Sequence, residues 1–172
     1  MKKHIYPSVV IAVICIVVAL LLSTVSMLTE DRIKFVQYQK EQSDLKEVMP
    51  EGKNFTPLQV TGLEESITTV YSEDGGGYIF KISTQGYKSG LIILCGIDAD
   101  GNLTGVKSTK TSETPSKENG IGLLFDGMSM ENHSEIIVSG ATKTSVAYSK
   151  AVSYSFEAFN QITSMEDNNH EK

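Results

Sequence analysis

One block decides most of what this chain can be. From Ser8 to Leu28 every residue is apolar or a small hydroxyl, and Val9 to Leu22 is an unbroken apolar run. Wound as a helix at about 1.5 Å per residue, such a block matches a hydrocarbon core of roughly 30 Å. Val and Ile are mediocre helix formers in water, but in lipid only a helix satisfies the backbone of a lone segment. Lys2, Lys3 and His4 precede the block, and Thr29, Glu30 and Asp31 follow it. The positive-inside bias then predicts a single pass through the cell (inner) membrane, with a cytoplasmic N-terminus and the rest of the chain extracytoplasmic. A cleaved signal peptide is the competing reading, with an apolar core of about 7–15 residues. The longer run here, without a clear A-x-A site, favours an uncleaved anchor.

The remainder of the chain is acidic. No acid precedes Glu30, so residues 30–172 carry 13 basic and 21 acidic residues, a net charge of −8. Nucleic acid is therefore not an expected partner, since binding it needs clustered Lys and Arg. Two cysteines, Cys15 inside the apolar block and Cys95, exclude a disulfide scaffold and a four-cysteine zinc site.

The pattern predicts an α+β chain: one N-terminal transmembrane helix, then a small extracytoplasmic domain with a mainly antiparallel sheet and flanking helices. Its expected divisions are a cytoplasmic N-terminus (1–7), the transmembrane helix (8–28), a helical connector (29–54), the domain (55–164) and a polar, frayed tail (165–172). Thr29 to Met49 reads as a helix stopped by Pro50-Glu-Gly. Ile67–Tyr71, Tyr78–Ser83 and Gly90–Ile97 are rich in β-branched and aromatic residues, and Leu91 to Cys95 is apolar throughout, as suits a central strand. Asp98 to Asn102 is a turn returning into Leu103–Lys107, and Ile136–Val138 reads as a further short strand. A last helix is expected from about Thr142 to Ile162.

Most chemistry-bearing residues have ordinary explanations. Counted from Asp98 as a calcium loop, positions 6 and 12 are Leu103 and Thr109, where Gly and Glu are needed, so a hairpin turn is the better reading. His4, His133 and His170 are scattered, no metal site is expected, and Cys95 reads as a small core residue. The segment Ser139-Gly-Ala-Thr-Lys-Thr-Ser145 stands out, because it lies where a strand gives way to an amphipathic helix. A helix start offers backbone N–H groups and the positive end of the dipole, which suit a phosphate. Gly140 and Ala141 would let a ligand approach, with Thr142 adding a hydroxyl and Lys143 a charge. The same residues equally suit a plain hydroxyl-capped helix start.

Ser139 to Ser145 resembles the S/T-G-A-T-x-T/S element of the FMN-binding domain family. That family includes the G subunit of Rnf-type ion-translocating electron-transport complexes and the C subunit of sodium-translocating NADH:quinone reductases. Further segments match in order: Val25 to Ile33 at the helix exit, Leu45-Lys-Glu-Val-Met-Pro50, Gly86-Tyr87, Gly96-Ile-Asp98, Asp100-Gly101, Thr104-Gly-Val106 and Ser112-Glu-Thr-Pro115. The short chain is more similar to the Rnf member of the pair. The resemblance implies FMN joined covalently through a phosphoester to Thr142 by a separate flavin transferase. Ser139, Gly140, Ala141 and Lys143 would hold the phosphate, and Glu113, Thr114, Gly120 and Gly122 would lie near the ring. It implies a membrane-anchored electron carrier with other membrane subunits as partners, and no catalysis by this chain alone. A stand-alone exported flavin carrier for extracellular electron transfer, and an assembly or interaction module without flavin, are the alternatives. The sequence differs from the family pattern at Ile136, where an acid is usual, and at Ser116 to Asn119, inserted before Gly120-Ile-Gly122.

Overall fold

The computed structural model describes residues 5–111 and 120–170. The chain divides into two compact units, Met1–Glu41 and Gln42–Lys172. The first is the greater part of one continuous helix, α1 (Ile5–Val48), which has no break where the apolar block meets Thr29. Its large aliphatic side chains from Val10 to Leu22 are 48–65% exposed, with no polar stripe to set an inward face. Among the described residues, no helix is long and apolar enough to cross a membrane. The side chains described in this block run only from Val10 to Ser26; those of Ser8, Val9, Met27 and Leu28 lie outside them.

In the second unit, five strands among the described residues form an antiparallel meander in the order β1 (Thr56–Leu58), β2 (Ile67–Ser72), β3 (Tyr78–Thr84), β4 (Leu91–Ile97) and β5 (Leu103–Lys110). Alternation along β3 and β4 separates two faces. Tyr78, Phe80 and Ile82, with Leu91, Ile93, Cys95 and Ile97, join the larger core, whereas Ile79 and Leu94 join a smaller one with Leu45, Val48, Met49 and Tyr71. Strand β4 is covered on both faces, which is why its sequence reads as uninterrupted apolar rather than alternating. Gly90 has φ +86, a conformation that only Gly adopts easily, so the strand begins one residue later than the composition suggests.

The larger core is closed by α2 (Thr142–His170), which lays Tyr148, Val152, Phe156, Phe159 and Ile162 on the sheet. Ala147, Ala151 and Ser155 are buried small residues that let the helix approach closely. Burying each large side chain contributes roughly 1.5–3 kcal/mol. Cys95 lies here as a core residue; burial pushes its thiol up to about 12, against a weaker lowering by a hydrogen bond with Ser155. The smaller core on the opposite face is closed by the last turn of α1.

Three local expectations are corrected. Ile136–Val138 is not a strand, because side chains of α2 replace the ladder. Ser149 Oγ accepts from Ile136 N at 2.9 Å and donates to Ile136 O at 3.2 Å, and Ser145 Oγ accepts from Val138 N at 3.0 Å. α2 runs on to His170 rather than ending near Ile162, with no Pro or Gly after Thr142 to break it; Glu171 and Lys172 of the expected tail lie outside the described residues. Strand β5 continues to Lys110 rather than stopping at Lys107. A 3-10 turn at Gly122–Phe125 was not expected, and it places Phe125 in the core against Tyr148, ring centroids 6.4 Å apart.

Candidate functional site

The start of α2 is built as follows. Ala141 N donates to Val138 O at 3.0 Å, Gly140 takes φ +80, and the first intrahelical bond runs from Ser145 N to Ala141 O at 2.9 Å. The amides of Thr142 and Lys143 precede that first bond and have no carbonyl one turn back within the helix to receive them. Ser139, Gly140, Thr142 and Lys143 are exposed, whereas Ala141 is buried and anchors the turn. A Cβ placed on Gly140 would meet nothing within 4 Å, so open space adjoins the amides. Lys143 Nζ lies 5.8 Å from the centroid of the Tyr87 ring, and that ring is 68% exposed. A hydroxyl, an exposed cation, early-turn amides and an exposed aromatic are therefore grouped at one end of one helix. The group suits a phosphate carried by an aromatic ligand.

A cavity of about 550 Å³ flanks the edge strand β5, within the range of roughly 300–1,000 Å³ typical of small-molecule sites. Gly120 and Gly122 line it, as do Thr104 to Ser108, Leu123 and Tyr148 of α2. Three of its lining residues, Gly105, Gly120 and Gly122, contribute no side chain. Gly96 and Gly105 face each other across β4 and β5, and a Cβ on Gly105 would stand 2.7 Å from the carbonyl oxygen of Val48. The end of α1 thus sits on bare backbone, fixed by a hydrogen bond from Thr104 Oγ1 to Val48 O at 3.0 Å. On the other wall, a Cβ on Gly122 would collide with the carbonyl oxygen of Val106, so the loop after Gly120 closes against β5 only because that side chain is absent. Gly120 has φ +85 and faces open space.

Lys107 projects from β5 at this cavity. Its ammonium donates to Asp44 Oδ1 at 2.8 Å and to Glu47 Oε2 at 2.6 Å, both on the last turns of α1. Partial burial lowers its pKa and the two carboxylates raise it; the carboxylates prevail, holding Lys107 above the ordinary lysine value.

Of the residues expected at the site, Ser139, Gly140, Ala141, Thr142 and Lys143 come together at the start of α2, while Gly120 and Gly122 come together in the cavity wall. The first group does not line the cavity; α2 reaches it through Tyr148, six positions after Thr142. Glu113 and Thr114 lie outside the described residues. Lys107, Glu47 and Tyr148 were not singled out from sequence, since their meeting depends on the β4–β5 register and on where α1 ends. Gly96 and Gly105, which admit the end of α1, give no signal until that register is known.

Comparison with known proteins agrees with this geometry. Residues 86–157 match the model of a family described as the FMN-binding domain, a span running from Tyr87 and its neighbour through both glycine walls and into α2. The chain is 26% identical to the G subunit of the Na(+)-translocating ferredoxin:NAD(+) oxidoreductase complex of Acetobacterium woodii, over 90% of each chain. It is 30% identical to the G subunit of the ion-translocating oxidoreductase complex of Methanosarcina acetivorans, covering 68% of this chain and 65% of that one. The corresponding protein of Aliivibrio fischeri is 27% identical, over 67% of this chain and 60% of its own length. With a match that takes in both the helix start and the cavity wall, residues 86–157 resemble the FMN-binding domain family, and the chain is similar to the G subunits of ion-translocating oxidoreductase complexes.

Proposed function

We propose that this protein is a membrane-anchored flavoprotein that carries electrons as one subunit of an ion-translocating oxidoreductase complex, with FMN joined to Thr142 through a phosphoester. The observation that carries the reading is the exposed Thr142 hydroxyl at the first position of α2, beside the open space left by Gly140 and inside the family-matched span. The residues present fit the group. Early-turn amides and Lys143 complement a phosphate, and the 550 Å³ cavity with its glycine walls suits a planar ring system. Bound FMN would supply the electron chemistry, while the protein would orient it and tune its electronics. A threonine hydroxyl is a weak nucleophile by itself, and among the described residues no hydrogen bond to a base is seen at Thr142, so attachment is assigned to a separate flavin transferase.

Anchoring is supported by the apolar block Ser8–Leu28 within an unbroken helix and by Lys2 and Lys3 before it. The proposed orientation puts the N-terminus in the cytoplasm and the second unit outside. Partner subunits are proposed from the named relatives, which are themselves subunits of complexes. The test is fluorescence of the denatured full chain after co-expression with a flavin transferase. The wild-type band should fluoresce and the Thr142→Ala band should not. A fluorescent Thr142→Ala band would refute the attachment site.

A further inference from the structure

We infer that Lys107, held by Asp44 and Glu47, is the positioning residue that sets the reduction potential of a flavin in the β5 cavity. This inference rests on the flavin reading of the site. Among the described residues lining the cavity, Lys107 is the one cation; Glu47 and Asp126 are the acids, and the remainder are neutral. Two electrons and one proton, supplied by a chemical reductant and by water, leave a reduced flavin with one negative charge more than the oxidised form. A fixed cation at the cavity wall therefore favours the reduced form, and a fixed anion favours the oxidised form. The wall carries a poised set, in which Asp44 and Glu47 offset the Lys107 charge at 2.8 and 2.6 Å.

The geometry separates a tuning role from a purely structural one. Asp44 is largely buried and ties Lys107 to α1, as a structural ion pair would. Glu47 is 64% exposed and also lines the cavity, so it adds little to packing while placing its charge where a ring would lie. Neutralising Glu47 should thus leave the fold alone and raise the potential. Removing the Lys107 charge should lower the potential.

The experiment uses the full chain in detergent, flavinylated by a co-expressed transferase, as wild type, Glu47→Gln, Lys107→Met and Lys107→Arg. Midpoint potentials are read by dye-equilibrated reduction with dithionite, and flavin content by fluorescence after denaturation. Glu47→Gln should shift the reduced-to-oxidised equilibrium about tenfold upward and Lys107→Met about tenfold downward, about 30 mV each for a two-electron couple. Lys107→Arg, which keeps the charge, should stay at the wild-type value. If Lys107→Met fails to fold, Glu47→Gln still decides the matter. Equal potentials in flavinylated wild type and Glu47→Gln would overturn the inference while leaving the flavin reading intact. A wild type without flavin would overturn that reading and this inference together, and the denatured-gel signal separates the two failures.

Discussion

The two faces of the sheet are built on opposite principles. Against α2, the sheet presents Phe80, Ile82, Ile93 and Ile97 to Phe156 and Val152, all fully or almost fully buried, and even the polar Ser145, Ser149 and Ser155 make their hydrogen bonds internally. Against the end of α1, the sheet presents two opposed glycines, a threonine that grips a helix carbonyl, and a lysine clamped by two acids. The first face gains stability by excluding water and filling space. The second also buries a smaller core of Leu45, Val48, Ile79 and Leu94, but toward β5 it gives up side-chain volume so that backbone can approach backbone, and an open cavity remains beside the edge strand. A small domain can hold a site of this kind because its opposite face is so densely packed.

Truncation on the filled face should produce the largest change in stability. Phe156→Ala removes a fully buried ring between α2 and the sheet and should cost about 3–5 kcal/mol, measured by urea unfolding of the detergent-solubilised chain. A loss below about 1 kcal/mol would mean that α2 does not hold the sheet in this way. Gly105→Ala acts on the opposite face by adding volume. Its Cβ would press on the Val48 carbonyl, an overpacking that should cost about 1–3 kcal/mol. If Gly105→Ala proved neutral, the close seat of α1 on β5 would be wrong.

The smallest effect is expected at Lys107, and it depends on pH. Its folded pKa lies above the ordinary value of about 10.4. The stabilisation from its ion pairs is thus complete below that value and disappears as the pH rises through the higher folded value. The stability gap between wild type and Lys107→Met should therefore narrow on going from neutral pH into that alkaline range. A gap that stayed constant would show that the charge of Lys107 contributes nothing to folding.

Much of the architecture was legible in the sequence because local pattern and tertiary role agree. Leu91 to Cys95 reads as a central strand since both of its faces are covered, and α2 begins at Thr142 as its hydroxyl-rich start suggests. The failures arose where distant groups supply what a local pattern lacks. Ile136–Val138 has strand composition, yet its hydrogen bonds come from Ser145 and Ser149 of α2. The Gly96–Gly105 notch is invisible without the strand register, because each glycine alone reads as an ordinary turn or bulge residue. In the candidate site, the start of α2 was legible as a motif, whereas Lys107 and Glu47 are 60 positions apart and meet only once α1 reaches β5.

The proposed covalent attachment of FMN at Thr142 is tested by fluorescence of the denatured chain. With a flavin transferase present, the wild-type band should fluoresce and the Thr142→Ala band should be dark, both proteins unfolding at the same urea concentration. A dark wild-type band under the same conditions, or fluorescence that survives in Thr142→Ala, would contradict it.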